Sequence, residues 1–174
     1  MAFRQILTEP NKILREKSLS VENFDKDIQI LMDDMLETMY AAPGIGLAAI
    51  QIGIPKRVIV LDIARKDAPK NPMCFVNPEI ISKSQNNSIY EEGCLSVPGQ
   101  FAEIERPDKC HIRYLDYYDH PKELKAEGML ATCIQHELDH LEGILFIDYL
   151  SKLKKSMIVK KLSKQKKAIE RIVV

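Results

Sequence analysis

The stretch with the clearest chemical meaning is residues 135–140, which contain the pattern H-E-x-x-H. Two histidines four residues apart lie one above the other on a helix, so the rings of His136 and His140 can both reach one metal ion. The carboxylate of Glu137 can face a water molecule on that ion. This layout is typical of metal-assisted hydrolysis, in which imidazoles bind the ion and a carboxylate moves a proton. The alternative is a surface helix with two titrating histidines.

The neighbouring residues favour a buried helix. Apolar residues occupy nearly every side of it: Met129, Leu130, Ala131, Cys133, Ile134, Leu138 and Leu141. A helix that is apolar all round is buried, and buried polar side chains need partners. A metal ion would be such a partner. Gly128 suits the start of this helix and Gly143 suits its end.

A third metal ligand is needed, and the residues after the motif do not supply one. Phe146 stands where one class of H-E-x-x-H protease has a third histidine. Another class uses a glutamate from a later helix, and the later acids here are Glu142, Asp148 and Glu170. Glu170 lies in a lysine-rich tail, which is a poor place for a ligand. We therefore expect the third ligand to lie upstream.

Cys94 is the candidate for that ligand. It lies between a glycine and a Val-Pro-Gly turn, and one thiolate with two imidazoles would leave a fourth position open for water. The alternative is a small buried thiol in a bend, as is usual for a free cysteine. Cys133 competes less well, because ligands at i, i+3 and i+7 of one straight helix do not converge comfortably on a tetrahedral ion.

Residues 42–53 are small or apolar except for Gln51. They resemble part of G-x-G-x-x-G but lack the third glycine and follow a helix, so a dinucleotide loop is not indicated. Small residues let the backbone approach a neighbouring element or a ligand closely. Gln51 is either a group that contacts a ligand or a satisfied amide in a packed turn.

The composition indicates one globular domain over residues 1–174. The length allows a sizeable core, and 45% apolar with 29% charged residues is ordinary for such a domain. We expect no membrane span and no signal peptide, because there is no long apolar run. The four cysteines are scattered, so we expect reduced thiols and a cytoplasmic protein.

The charge is unevenly placed along the chain. Residues 151–174 carry eight lysines and Arg171 against Glu170, a net charge of +8, which leaves −8 on the first 150 residues. Such asymmetry suggests a basic tail with an anionic partner.

The periodicity predicts an α+β fold, with antiparallel strands packed around the buried H-E-x-x-H helix. An amphipathic helix is expected over residues 25–40 and a basic one over residues 152–174. The apolar side of the second should comprise Leu153, Met157, Ile158, Leu162, Ile169, Ile172 and Val173. One helical turn is expected at residues 11–15, and strands at residues 56–63, 75–82, 88–90, 100–105, 109–117 and 122–126. Residues 85–87 and 118–121 read as turns, and Arg106 is expected to pair with Glu92 and hold the cysteine segment.

Three motifs stand together in this chain: G-I-G-L-A-A-I-Q at residues 44–51, E-G-C-L-S at residues 92–96 and Q-H-E-L-D-H at residues 135–140. In order and spacing they resemble the peptide deformylase motifs G-x-G-L-A-A-x-Q, E-G-C-L-S and Q-H-E-x-x-H. Each motif alone is modest, but the three together are highly specific. The resemblance covers essentially the whole chain, and the absence of a long insertion between the first two motifs is similar to the shorter bacterial and organellar type.

The resemblance implies a hydrolase that removes the formyl group from the N-terminal formyl-methionine of new polypeptides and releases formate. It implies the metal ligands Cys94, His136 and His140, with Fe²⁺ in the cell and Zn²⁺ or Ni²⁺ in purified protein. It implies that Glu137 is the general acid and base, while Gln51 and the backbone N–H of Leu95 donate to the developing oxyanion.

The resemblance further implies an apolar pocket for the methionine side chain, and backbone contacts from Gly46 to the substrate. Its expected lining is Gly44, Ile45, Gly46, Leu47, Gly93, Cys94, Cys133 and Ile134. The basic tail is similar to the helix by which some members dock on the ribosome, although a solvated helix is the alternative. Two other functions remain, a general zinc peptidase and a non-catalytic metal-binding relative. The second would be expected to have lost Glu137, Gln51 or Cys94.

Overall fold

A computed structural model describes the backbone of residues 2–65 and 67–172, and side chains up to residue 168. It contains three helices, α1 (Lys26–Ala41), α2 (Gly128–Leu141) and α3 (Lys152–Ile172). Its seven strands are β1 (Gly46–Ala48), β2 (Val58–Leu61), β3 (Met73–Lys83), β4 (Asn87–Cys94), β5 (Val97–Pro107), β6 (Lys109–Leu115) and β7 (Pro121–Glu127). Short 3-10 helices cover Lys12–Arg15, Ala49–Ile52 and Phe146–Tyr149. The predicted α+β class with antiparallel strands is confirmed.

The strands form two separate antiparallel sheets. One has five strands in the order β1-β2-β3-β6-β7, and the other is the β4–β5 hairpin. The turn predicted at residues 85–87 therefore joins two strands of different sheets, because β3 pairs with β2 and β6 while β4 pairs with β5. The hairpin predicted around residues 118–121 is confirmed by the pairing of β6 with β7.

The five-stranded sheet is covered by a helix on each face. All four residues of β2 are fully buried, because Ile59 and Leu61 pack with α2 while Val58 and Val60 pack with α1. The start of α1 agrees with the prediction, since the Asp25 carboxylate accepts hydrogen bonds from the first-turn N–H groups of Asp27 and Ile28. The sheet thus gives α2 a rigid platform.

The β4–β5 hairpin has its own apolar cluster, formed with the chain after α2. It contains Val97, Ala102, Ile104, Leu145, Phe146, Ile147, Ile158 and Leu162. The apolar residues that follow the H-E-x-x-H helix therefore pack onto the hairpin side of the molecule. This cluster connects α3 to the rest of the protein.

The apolar side predicted for α3 was wrong in part. Ile158 and Leu162 are buried, but Leu153 is 73% exposed and Met157 is 64% exposed. They occupy a face of α3 that its packing against the hairpin does not cover. The side chains of Ile169 and Ile172, and Val173 altogether, lie outside the described residues.

Among the described residues, none of the helices is both long and apolar enough to cross a membrane. The single domain over residues 1–174 stays a prediction.

Candidate active site

Helix α2 brings two histidine rings close together, and the first of them, His136, faces a cleft. The ring centroids of His136 and His140 are 5.0 Å apart, one helical turn from each other. Both residues are buried. The positions i and i+4 share a helix face, and the core contacts of Ile134, Leu138 and Leu141 fix which face that is.

Cys94, the last residue of β4, completes a group of three metal-binding side chains. Its Sγ lies 3.3 Å from Nε2 of His140, and the ligand atoms of Cys94, His136 and His140 all lie within 4.8 Å of one another. A thiolate and two imidazoles suit a divalent transition metal. Nδ1 of His140 and Oε2 of Glu137 are buried without a hydrogen-bond partner among the described residues. The donor set therefore fits a metal ion.

A buried ion-pair network supports the first of these histidines. Nδ1 of His136 lies 2.8 Å from Oε2 of Glu92, and Arg106 contacts both oxygens of that carboxylate, at 2.6 and 3.0 Å. Arg106 also donates to Asp139 at 2.7 Å, whose carboxylate accepts a hydrogen bond from Tyr149 at 2.8 Å. The predicted Arg106–Glu92 pair is confirmed. With Nδ1 occupied, the network leaves Nε2 of His136 for a metal.

The charges in this network explain the ionisation of Glu92. Burial alone would raise the pKa of this carboxyl group, but the hydrogen bonds to His136 and Arg106 outweigh it and lower the pKa. Glu92 therefore stays a carboxylate although it is buried.

Glu137 lies between α2 and strand β1. It is 5% exposed, and burial raises its pKa to about 7. A side chain at position 46 would overlap Oε1 of Glu137 and lie 2.8 Å from Leu61 Cδ2. Glycine at this position thus allows the strand to pass directly against the carboxyl group. A carboxyl group that titrates near neutral pH is suited to accept and return a proton.

Gln51 lies in the 3-10 helix Ala49–Ile52, beside Cys94. Its Oε1 accepts a hydrogen bond from the Ala48 N–H at 2.8 Å, and its Nε2 donates to Ser96 Oγ at 3.0 Å. Nε2 also lies 3.5 Å from Cys94 Sγ. An oxygen must face the Ala48 N–H donor, so the orientation of the amide is fixed. The satisfied amide expected from the sequence is present, and it also faces the metal-binding group; contact of Gln51 with a ligand stays a prediction.

A cleft of about 500 Å³ lies beside these groups. Gly44, Ile45, Gly46, Gly93 and Cys133 all line it, together with Gln51, Cys94, Leu95, His136 and Glu137. One wall comes from the segment that leads into β1 and the other from the β4–β5 hairpin, while α2 forms the floor. The cleft therefore lies between the two sheets.

Comparison with known proteins identifies the family of this chain. The model of the polypeptide deformylase family matches residues 3–156. A curated peptide deformylase of Pelagibacter ubique is 68% identical over 166 residues, which is 95% of this chain and 96% of the relative. The chain belongs to the peptide deformylase family. It is therefore an enzyme of the deformylase type.

Solved deformylase structures share the fold of this chain. The peptide deformylase of Ehrlichia chaffeensis in complex with actinonin has a TM-score of 0.91 and 43% identity, covering 95% of this chain and 98% of that one. The class I type b deformylase of Acinetobacter baumannii, with Met-Ala-Ser bound, has a TM-score of 0.80 and 34% identity, covering 86% of this chain and 99% of that one. The resemblance found from the three motifs is thus confirmed.

Two of the residues expected to line the pocket of this deformylase fold do not line it. Ile134 and Leu47 are fully buried and pack in the core. Cys133 lines the cleft without joining the metal-binding group, and burial raises the pKa of its thiol to about 12. His111 and His120 lie away from the site, and each faces an acid on the β6–β7 side.

Several residues line the cleft although the sequence did not predict them there: Tyr90, Pro98, Phe101, Met129 and Thr132. Met129 and Thr132 stand seven and four residues before His136, so the helical period alone would have placed them on its face. To predict that Tyr90 and Phe101 line the cleft, one must know that β4 pairs with β5. The local sequence pattern does not show this pairing.

Proposed function

We propose that this chain is a metal-dependent hydrolase that removes the N-formyl group from the formyl-methionine of newly made polypeptides and releases formate. The observation that carries the proposal is the convergence of Cys94, His136 and His140 on one point, beside a cleft that Cys94 and His136 line together with Glu137 and Gln51. Deformylation consumes one water, breaks the formamide C–N bond and yields formate and a free amine.

Cys94, His136 and His140 would hold one divalent ion, Fe²⁺ in the cell, and the same donors would take Zn²⁺ or Ni²⁺ in purified protein. When bound, the ion would supply a water-derived nucleophile at neutral pH. The other steps belong to side chains and backbone. Glu137 takes the proton of the attacking water and gives it to the leaving amine, for which a pKa of about 7 is suited.

The negative charge that develops on the formyl oxygen needs nearby donors. Gln51 Nε2 is held next to Cys94, and the backbone N–H of Leu95 directly follows the cysteine in the chain. We assign both groups to oxyanion stabilisation, in which loss of one donor typically costs about 10²–10³ in kcat.

The methionine side chain would occupy the apolar part of the cleft, near Gly44, Ile45, Met129 and Cys133. Gly46 lies in β1, which pairs only with β2 within the described residues and so leaves its other edge open to peptide backbone. The Met-Ala-Ser bound to the Acinetobacter baumannii enzyme supports this choice of ligand.

The test is formate release from formyl-Met-Ala-Ser by protein prepared without oxygen and loaded with Fe²⁺. We expect rapid release, and Glu137→Gln should lower kcat about 10²–10⁴-fold because no base takes the proton of water. Glu142→Gln is the matched control at the end of the same helix, outside the cleft, and should retain activity. Absence of formate from folded, metal-replete protein would refute the proposal, and internal cleavage of the peptide would favour a zinc peptidase.

We further propose a second partner for a cytoplasmic enzyme, the ribosome, bound through α3. The support is the net charge of +8 on residues 151–174 and the exposure of lysines along this helix. Deleting residues 156–174 would remove buried Ile158 and Leu162, so charge reversal is the cleaner test. Lys160→Glu with Lys161→Glu should reduce ribosome co-sedimentation at low salt. Lys122→Glu with Lys125→Glu on β7 should not, and equal binding by both pairs would contradict the proposal.

A further inference from the structure

The N-terminal segment 7–9 contacts the two loops that carry the proposed oxyanion donors. The Leu7 N–H donates to the Gln51 carbonyl at 2.7 Å, and the Glu9 N–H donates to the Ser96 carbonyl at 2.8 Å. The Gln51 side chain in turn donates to the Ser96 hydroxyl at 3.0 Å. These bonds and the covalent chain between residues 7 and 9 close a ring, which we call the N-terminal frame.

The frame borders the cleft through Gln51 and otherwise lies behind the reacting groups. Ser96 is fully buried and does not line the cleft, whereas Gln51 does. Ser96 also directly follows Leu95, whose backbone N–H is the second proposed oxyanion donor. The frame therefore joins both donors to each other through residues that are far apart in sequence.

The Ser96 hydroxyl is the second contact, besides the Ala48 N–H, that holds the Gln51 amide. Oε1 of Gln51 is anchored by the Ala48 N–H, and one of the two N–H bonds at Nε2 is taken by Ser96 Oγ. The remaining N–H is then left on the side of Cys94, whose sulfur lies 3.5 Å from Nε2. Without the hydroxyl, the amide would keep its oxygen anchor but lose the contact that fixes its plane.

We infer that Ser96 and residues 7–9 are positioning residues that hold the Gln51 amide, and with it the Leu95 turn, in the geometry of the oxyanion site. This inference rests on the proposed function of Gln51. It predicts that the frame affects the chemical step and leaves peptide binding largely unchanged, because oxyanion donors act mainly in the transition state.

The first experiment is a double-mutant cycle of Ser96→Ala and Gln51→Ala, measured as formate release. Ser96→Ala should lower kcat about five- to tenfold, the equivalent of one lost hydrogen bond, with KM changed less than about twofold. In the Gln51→Ala background the same substitution should have no further effect on kcat, because Ser96 acts through Gln51. Ser18→Ala is the matched control, since Ser18 is buried but its hydroxyl has no partner among the described residues. It should retain full activity.

A second readout does not depend on turnover. In the Zn²⁺-loaded protein, the NMR signals of the Gln51 side-chain amide, assigned by their absence in Gln51→Ala, should be sharp and slowly exchanging. Ser96→Ala should broaden them, whereas Ser18→Ala should not.

The N-terminal half of the frame is tested by Leu7→Pro against Leu7→Ala. Proline removes the N–H that donates to Gln51, while alanine shortens the side chain and keeps the N–H. Leu7→Pro should reduce kcat and broaden the amide signals, and Leu7→Ala should do neither.

The outcomes distinguish an error in the role assigned to Gln51 from an error in the role assigned to the frame. If Gln51→Ala itself leaves kcat unchanged, the role assigned to Gln51 is wrong. If Gln51→Ala lowers kcat but the Ser96→Ala effect multiplies with it in full, or appears in KM, the frame is refuted and the proposed function stands. Should Leu7→Pro not fold, the Ser96 cycle decides alone.

Discussion

Helices α2 and α3 form a contrast within one chain. Most side chains of α2 are buried, including Gln135, His136, Glu137 and His140. In α3, among the side chains described up to residue 168, only Ile158 and Leu162 are buried. The first helix packs on the sheet with one side and borders the cleft with another, and the second touches the protein along one narrow stripe.

The contrast shows that burial determines how strongly the protein depends on the type of side chain at one position. A buried polar group in α2 needs a partner, so His136 bonds to Glu92 and His140 lies beside Cys94. The lysines of α3 are solvated, and exposed ion pairs contribute little to stability. The effect of a substitution in α2, or in the ion-pair network beside it, should therefore depend on the particular residue. Substitutions of the α3 lysines should act mainly through the total charge of the helix.

The largest effect is expected from removing a cation that supports α2. Arg106 is 4% exposed and pairs with Glu92 and Asp139, so Arg106→Met leaves two carboxylates without their cation. We expect a loss of about 3–5 kcal/mol in the free energy of unfolding, measured by urea denaturation, together with a lower metal content. The matched change is Lys155→Met on α3, at a 41% exposed side chain, which should cost less than about 1 kcal/mol. Equal losses would remove the contrast.

A smaller effect is expected from the apolar stripe of α3. Leu162 is 4% exposed within the hairpin cluster, whereas Met157 is 64% exposed. Leu162→Ala should destabilise the protein by about 2–3 kcal/mol because it leaves a cavity. Met157→Ala should stay within about 0.5 kcal/mol, and both are measured by denaturant unfolding. A large loss with Met157→Ala would show that this face of α3 is covered in solution.

The smallest effect is expected at Asp148, which connects Arg15 to α3. Burial opposes its ionisation, but Lys155, the Leu145 N–H and Arg15 together lower its pKa below the usual 3.8. A lowered pKa in the folded state adds stability above pH 4 that is lost as the pH falls through the folded-state pKa. Asp148→Asn should therefore cost about 1 kcal/mol at pH 7, and the difference from wild type should shrink below pH 4. A difference that grew on acidification would contradict the assignment.

The sequence was most informative where one local pattern decides the outcome. The stripe of residues 25–40 predicted α1, and the i, i+4 spacing predicted that two histidines would face one point. The Arg106–Glu92 pair was also predicted, as a contact that holds the cysteine segment. Cys94 was chosen by elimination, and the structure does bring it to the histidines.

The sequence was least informative where contacts are distant or use the backbone. Nothing local shows that β4 pairs with β5 rather than β3, so the second sheet and the lining by Tyr90 and Phe101 were not foreseen. The hydrogen bonds of Leu7 and Glu9 use main-chain N–H groups, which every residue except proline has. Side-chain identity in that segment therefore gave no signal of its position beside Gln51.

The placement of the cleft between two sheets has a consequence for motion. The β4–β5 hairpin and the five-stranded sheet are separate hydrogen-bonded units, and a ligand lying across the cleft contacts both. Such a ligand acts as a removable cross-link, which stabilises the hairpin against local opening in proportion to its occupancy. Amide hydrogen exchange should then slow most in β4 and β5 when a peptide binds, and far less in β6 and β7 at the opposite edge.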